Sequence, residues 1–150
     1  MSFDRRARVL IADADAVVRR KLSKCLLDSE VFADCVADGK MALEALDASN
    51  YAVVVLDLAL PPGNPERILG VVGAMPAASR PVVLVLAARG AARSLDVEVV
   101  QIVLRKPCDL TQLSQIVESC VRSAADAGRS EPGRPDGFSV DAGFSPRSAG

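Results

Sequence analysis

Three carboxylates and one ammonium group stand where apolar runs of this chain stop. Asp57 closes Val53-Val54-Val55-Leu56 and is followed by Leu58-Ala59-Leu60-Pro61-Pro62-Gly63. Asp13 closes Val9-Leu10-Ile11-Ala12, with Asp15 just beyond it. Lys106 follows Val99-Val100-Gln101-Ile102-Val103-Leu104 and Arg105. A carboxylate serves as a nucleophile or as a hard oxygen ligand for magnesium, which keeps several of its own waters. A lysine serves phosphate as a point charge. Brought to one edge, these groups would make a small site for a cation and a phosphoryl group.

The runs themselves say how they would be brought together. Each is short and rich in β-branched residues, the mark of a strand buried on both faces. Such strands belong to parallel sheets, whose ligands sit in the crevice beyond the carboxyl ends of the strands. The spacing predicts strands over Val9–Ala12, Val31–Ala37, a run ending at Asp57, Pro81–Leu86 and Val99–Leu104. Between them lie helical patterns. Ala16–Leu27 carries Val18, Leu22, Cys25 and Leu26 on one face, with Arg19, Arg20, Lys21 and Lys24 largely off it. Asp38-Gly39 leads into a helix over Lys40–Ala48. The Pro-Pro-Gly-Asn turn precedes another, opened by Pro65-Glu66 and running to about Met75. Ala88–Asp96 reads as a short, poor helix. Asp109-Leu110-Thr111-Gln112 reads as a capped start for a last helix striped by Leu110, Leu113, Ile116, Val117, Cys120 and Val121. Five strands alternating with five helices predict an α/β fold, a doubly wound parallel sheet with helices on both faces.

From about Asp126 Gly, Ser, Pro, Arg and Asp dominate and periodicity ends, which predicts a disordered C-terminal tail with too little apolar surface to offset its chain entropy. The expected division is a leader over 1–7, a folded domain over 8–125 and a tail over 126–150. Within the tail, Gly137-Phe138-Ser139 and Gly143-Phe144-Ser145 echo one another, as a docking element or a leftover linker would.

Bulk properties narrow the function classes. Half of the 150 residues are apolar, enough for a core, and a net charge of -1 gives no reason to expect nucleic acid or a membrane as partner. No apolar run approaches the length that spans a bilayer, and the basic start Met1 to Arg8 leads into an acid-interrupted strand rather than a signal sequence. With no His, and with Cys25, Cys35, Cys108 and Cys120 in no Cys-x-x-Cys spacing, a zinc site is not expected. The four are read as reduced, buried cysteines of a cytoplasmic protein.

In order and spacing, these motifs resemble the receiver domain of bacterial two-component response regulators, over roughly Arg8 to Val121. The strand-then-acids start, Ala37-Asp38-Gly39-Lys40-Met41-Ala42-Leu43, Tyr51 through Gly63, and Lys106-Pro107 with Asp109-Leu110 carry the likeness. It implies a flavodoxin-like sheet of strand order 2-1-3-4-5, with Asp57 as phosphoacceptor and Lys106 pairing with it and then with the phosphoryl oxygens. Asp13, Asp57 and the backbone carbonyl of Ala59 would hold Mg2+, with Asp15 as a further candidate ligand. The implied partners are a sensor histidine kinase or phosphotransfer protein and a downstream protein. That output, or a homodimer, would use the face of the fourth and fifth strands and the last helix. A non-enzymatic, single-domain role follows.

Three positions depart from the pattern. Ala14 stands where the family has the second of two adjacent acids, which implies weak magnesium binding. Leu86 or Ala87, according to alignment, stands where the family has a Thr or Ser hydroxyl for the phosphoryl group. Val103 stands in place of the switch aromatic. A hydrogen bond to a charged acceptor is worth about 1.5–3 kcal/mol, roughly tenfold to a hundredfold in an equilibrium. The expectation is therefore a divergent receiver, phosphorylated weakly or acting as a phosphate-independent docking module. A second likeness is to haloacid-dehalogenase-like phosphatases. Ile11-Ala12-Asp13-Ala14-Asp15 resembles their strand-Asp-x-Asp motif, with Asp13 as nucleophile and Asp15 as acid/base. The Gly-Thr, later acidic pair and cap domain of that family have no counterpart here.

Overall fold

The computed structural model describes residues 8–62, 65–88, 95–96 and 98–129. Their strands are β1 (Arg8–Ala12), β2 (Phe32–Val36), β3 (Val53–Asp57), β4 (Val82–Ala87) and β5 (Val100–Arg105). They form one parallel sheet in the order β2-β1-β3-β4-β5, as expected. Helices α1 (Ala16–Asp28), α2 (Gly39–Ala48), α3 (Pro65–Gly73) and α4 (Leu110–Arg129) cover it, with a short 3-10 turn at Ala77–Ser79. The helix expected over Ala88–Asp96 lies largely outside the described residues. So do the leader 1–7, Gly63 and Asn64 of the Pro-Pro-Gly-Asn turn, and 130–150.

Because side chains alternate along a strand, each central strand feeds two cores. On β1, Leu10 and Ala12 join Ala42 and Leu46 of α2 and Ile68, Leu69 and Val72 of α3. Val9 and Ile11 join Leu22 and Leu26 of α1 and Leu113, Val117 and Val121 of α4 on the other face. Val53, Val54, Val55 and Leu56 of β3 are wholly shielded from solvent. Burial of each such side chain contributes about 1.5–3 kcal/mol, which is why this run can carry a carboxylate at its end.

Local chemistry sets the helix ends. Asp15 and Asp38 cap α1 and α2, their carboxylates accepting from the amides of Val17 and Met41. Asp109 accepts from Thr111 at 2.8 Å, at the expected start of α4. After α1, Glu30 takes a φ of 63° while its amide and that of Val31 donate to the carbonyls of Leu27 and Leu26. This is a Schellman ending, with Val31 and Leu26 buried in the same core cluster and a Glu where glycine is usual.

Two expectations are corrected. The last helix does not end before Asp126 but runs on to Arg129, because Ala124, Ala125 and Ala127 favour helix whatever the composition beyond them. The cysteines are free but not buried: Cys35 is exposed, and Cys25, Cys108 and Cys120 are half-buried. Cys35 is exposed because β2 is an edge strand, lacking the cover that the central strands receive. The fifth strand falls where expected and contains an irregularity. Its register with β4 passes from Val83↔Val100 to Leu84↔Ile102, which leaves Gln101 without a counterpart.

Candidate functional site

The carboxyl ends of β1, β3 and β5 bring Asp13, Asp57 and Lys106 together, as their sequence positions predict. Lys106 Nζ donates to Asp57 Oδ1 at 2.7 Å, a length typical of a charge-assisted bond. The same Oδ1 accepts from the Ala59 amide at 2.9 Å, which fixes the rotamer of a side chain only 5% exposed. Lys106 itself is a third exposed, so its ammonium stands at the mouth of the site. Its position follows from the sheet, since its amide donates to the Ala87 carbonyl at the end of β4.

Asp13 is 2% exposed, and its Oδ1 accepts from the amide of Asp15 at 2.9 Å. The Arg19 guanidinium holds the Asp13 carbonyl at 2.8 Å, a contact that the residue types did not announce. Burial above all, and then the neighbouring Asp57 carboxylate, pushes the Asp13 carboxyl above the ordinary range. The Asp15 amide and the Lys106 charge act the other way. An anion here is therefore held at a cost that a cation between the two carboxylates would relieve.

Asp15 is placed differently from the other two. Its Oδ1 accepts from Val17 at 2.9 Å as the cap of α1, and its side chain lies at the exposed rim of the cleft. Among the described residues, no three His, Cys, Asp or Glu side chains gather as a metal-binding group. The donor set facing the cleft is thus two buried carboxylates, with Ala59 in the wall. Oxygen-only donors of this kind fit a hard divalent ion that keeps much of its water. A role for Asp15 as acid/base, which the phosphatase likeness would require, competes with its capping bond.

The cleft has a volume of about 710 Å³, and one wall of it is apolar. Val18, Leu86, Pro107, Cys108 and Leu110 line it beside the charged groups. Leu86, opposite Asp57 in the sheet register, faces the cleft, whereas Ala87 packs into the core cluster of the other face. Strand alternation therefore assigns to Leu86 the position at which a hydroxyl would reach a group on Asp57. Burial pushes the Cys108 thiol up, which makes it a poor nucleophile. Val103 is 39% exposed and does not line the cleft.

Comparison with known proteins supports the architecture. No family model matches the chain, and no curated protein matches it either. Solved structures do. A signal receiver domain from Vibrio parahaemolyticus is similar at a TM-score of 0.68 and 21% identity, over 83% of this chain and 98% of that one. The receiver domain of the Francisella response regulator 1452 is similar at 0.66 and 22% identity, over 77% and 97%. A CheY-like receiver domain from Methylobacillus flagellatus is similar at 0.62 and 24% identity, over 75% and 97%. The fold is that of response regulator receiver domains.

Proposed function

We propose that this chain is a divergent receiver module of two-component signalling, with Asp57 as its phosphoacceptor. The observation that carries the reading is the bond from Lys106 to a buried Asp57 carboxylate beside Asp13, at the carboxyl edge of a receiver-type sheet. Asp57 Oδ2, the oxygen not engaged by Lys106 and Ala59, attacks phosphorus of a histidine phosphate or small acyl phosphate. The bond from phosphorus to the donor breaks, and the donor leaves with its electron pair. Lys106 balances charge on the transferred oxygens. Asp13, Asp57 and the Ala59 carbonyl are the groups that would hold Mg2+, which when bound would supply positive charge against the repulsion between an anionic nucleophile and an anionic donor.

Leu86 supplies no hydroxyl to the phosphoryl group, and Val103 no aromatic ring to move with it. Phosphorylation then interacts almost equally with the two shapes of the domain, and such a modification shifts neither. Output is contact with a downstream protein, weakly dependent on phosphate, from a module that works in the cytoplasm with a histidine kinase or phosphotransfer protein upstream.

The test is incubation with acetyl phosphate and Mg2+ followed by intact-mass and peptide mass spectrometry. One phosphoryl group is expected on wild type, on the peptide containing Asp57, and none on Asp57→Asn. Label retained at Asp13 in that variant would reverse the assignment in favour of the phosphatase-like chemistry.

A further inference from the structure

We infer that Gln101 is the positioning residue that aims Lys106 at Asp57. The inference deepens the reading of the Lys106–Asp57 pair given above, and begins from the irregularity between β4 and β5. Up to Val83↔Val100 the two strands are in step, and from Leu84↔Ile102 they are in step again, one residue later on β5. Every partner beyond depends on that step: Val85↔Val103, Leu86↔Leu104, Ala87↔Arg105, and then the Lys106 amide on the Ala87 carbonyl.

Such an extra residue disrupts the ladder locally, so the backbone groups that face it need other partners. The Val82 amide points toward β3, donating to the Ala52 carbonyl, so by alternation the Val83 amide points toward β5, where the register shifts. It is not orphaned. The side chain of Gln101 turns back and accepts from it through Oε1 at 2.8 Å, filling the place that a strand carbonyl would take. The residue that the register leaves over thus repairs the ladder with its own side chain.

The consequence reaches the site because side-chain period in a strand is two. If β5 paired without the extra residue, every residue from Ile102 onward would move by one place and change faces. Leu104 in place of Arg105 would then lie against Ala87, and Lys106 would leave the cleft wall that it now shares with Asp13, Asp57 and Leu86. The acceptor on Gln101 favours the shifted register over the regular one, and with it the 2.7 Å bond from Lys106 to Asp57.

Two substitutions at this exposed position separate an acceptor from a space-filling stem. Gln101→Glu keeps an oxygen at the same reach, and Gln101→Met keeps the length without it. The readouts are hydrogen exchange at individual amides and the rate at which acetic anhydride acetylates Lys106, measured by mass spectrometry against exposed Lys21 and Lys40 in the same sample. In Gln101→Met the Val83 amide should exchange about fivefold faster, the equivalent of ~1 kcal/mol, while Val54 in the sheet centre is unchanged. Lys106 should become more reactive toward the anhydride, and Gln101→Glu should stay close to wild type in both respects. Lys106 as protected in Gln101→Met as in wild type would overturn the inference. So would equal disturbance in both variants, or acceleration at Val54 matching that at Val83. Neither readout involves phosphate, so failure of Asp57 to accept a phosphoryl group would leave this result standing, and the converse also holds.

Discussion

Asp57 and Leu86 face one another across the register of β3 and β4, and between them they define what the site does and does not do. The carboxylate is held by two donors, while its opposite number offers only methyl groups. Replacing Leu86 with Thr should therefore change binding of a phosphoryl mimic more than it changes the fold. Beryllofluoride affinity in the presence of Mg2+, followed by fluorine NMR, is expected to rise about tenfold to a hundredfold in Leu86→Thr, the worth of one hydrogen bond to a charged acceptor. No change would mean that the hydroxyl is not what this site lacks. Asp13, Asp57 and Lys106 were legible because each terminates an apolar run, and a strand end in a parallel sheet is a position with a known direction. The choice between Leu86 and Ala87 was not legible, since a run of apolar residues carries no alternation and only the sheet decides which of them faces the cleft. Arg19 escaped notice for a different reason: it serves a backbone carbonyl, and one basic residue among several on α1 has no distinguishing pattern.

At the scale of elements, hydrophobic runs placed the strands well, because strands buried on both faces have no polar side to confuse them. The edges were harder. Phe32-Ala33-Asp34-Cys35-Val36 contains as many apolar residues as a covered strand, yet Phe32 is 54% exposed and Cys35 is exposed too: the strand order implied by the resemblance puts β2 at the edge, but the composition of the run does not carry that signal. The extra residue in β5 was equally silent within an uninterrupted run. The amino edge of the sheet supports a pH prediction. Tyr51 donates to Asp34 at 2.7 Å, Asp34 pairs with Arg8 at 3.4 Å, and the Arg8 guanidinium lies 5.9 Å from the centre of the Tyr51 ring. Burial first, then the bond to Asp34 and its charge, push the phenol up to about 12 from an ordinary 10.0. A phenol whose ionisation is suppressed in the fold contributes stability that is complete below the unfolded value and is lost as pH rises through the folded one. Urea midpoints of wild type should therefore fall more steeply than those of Tyr51→Phe between about pH 10 and pH 12. Parallel curves for the two proteins would contradict this account of Tyr51.

For the whole molecule, the described residues build two cores around five strands. The composition of 130–150, dominated by Gly, Ser, Pro, Arg and Asp, offers little apolar surface to bury. Truncation after Arg129 is expected to leave the melting temperature nearly unchanged, and a fall of many degrees in calorimetry would show that these residues contribute to the folded unit. The cut belongs after Arg129 and not at Asp126, because the last turn of α4 would otherwise be lost. The separation of Asp57 and Lys106 along the chain also has a consequence in time. They lie 49 residues apart, on strands that are not adjacent in the sheet: β4 stands between them. Parallel strands joined by long crossovers close slowly, because loop entropy is spent before the contacts that reward it. The pair can form only after β4 has docked on β3 and β5 on β4. In a refolding experiment, protection of Lys106 from a brief pulse of acetic anhydride should rise after protection of the β1–β3 amides, marking the moment at which the sheet acquires its last strand.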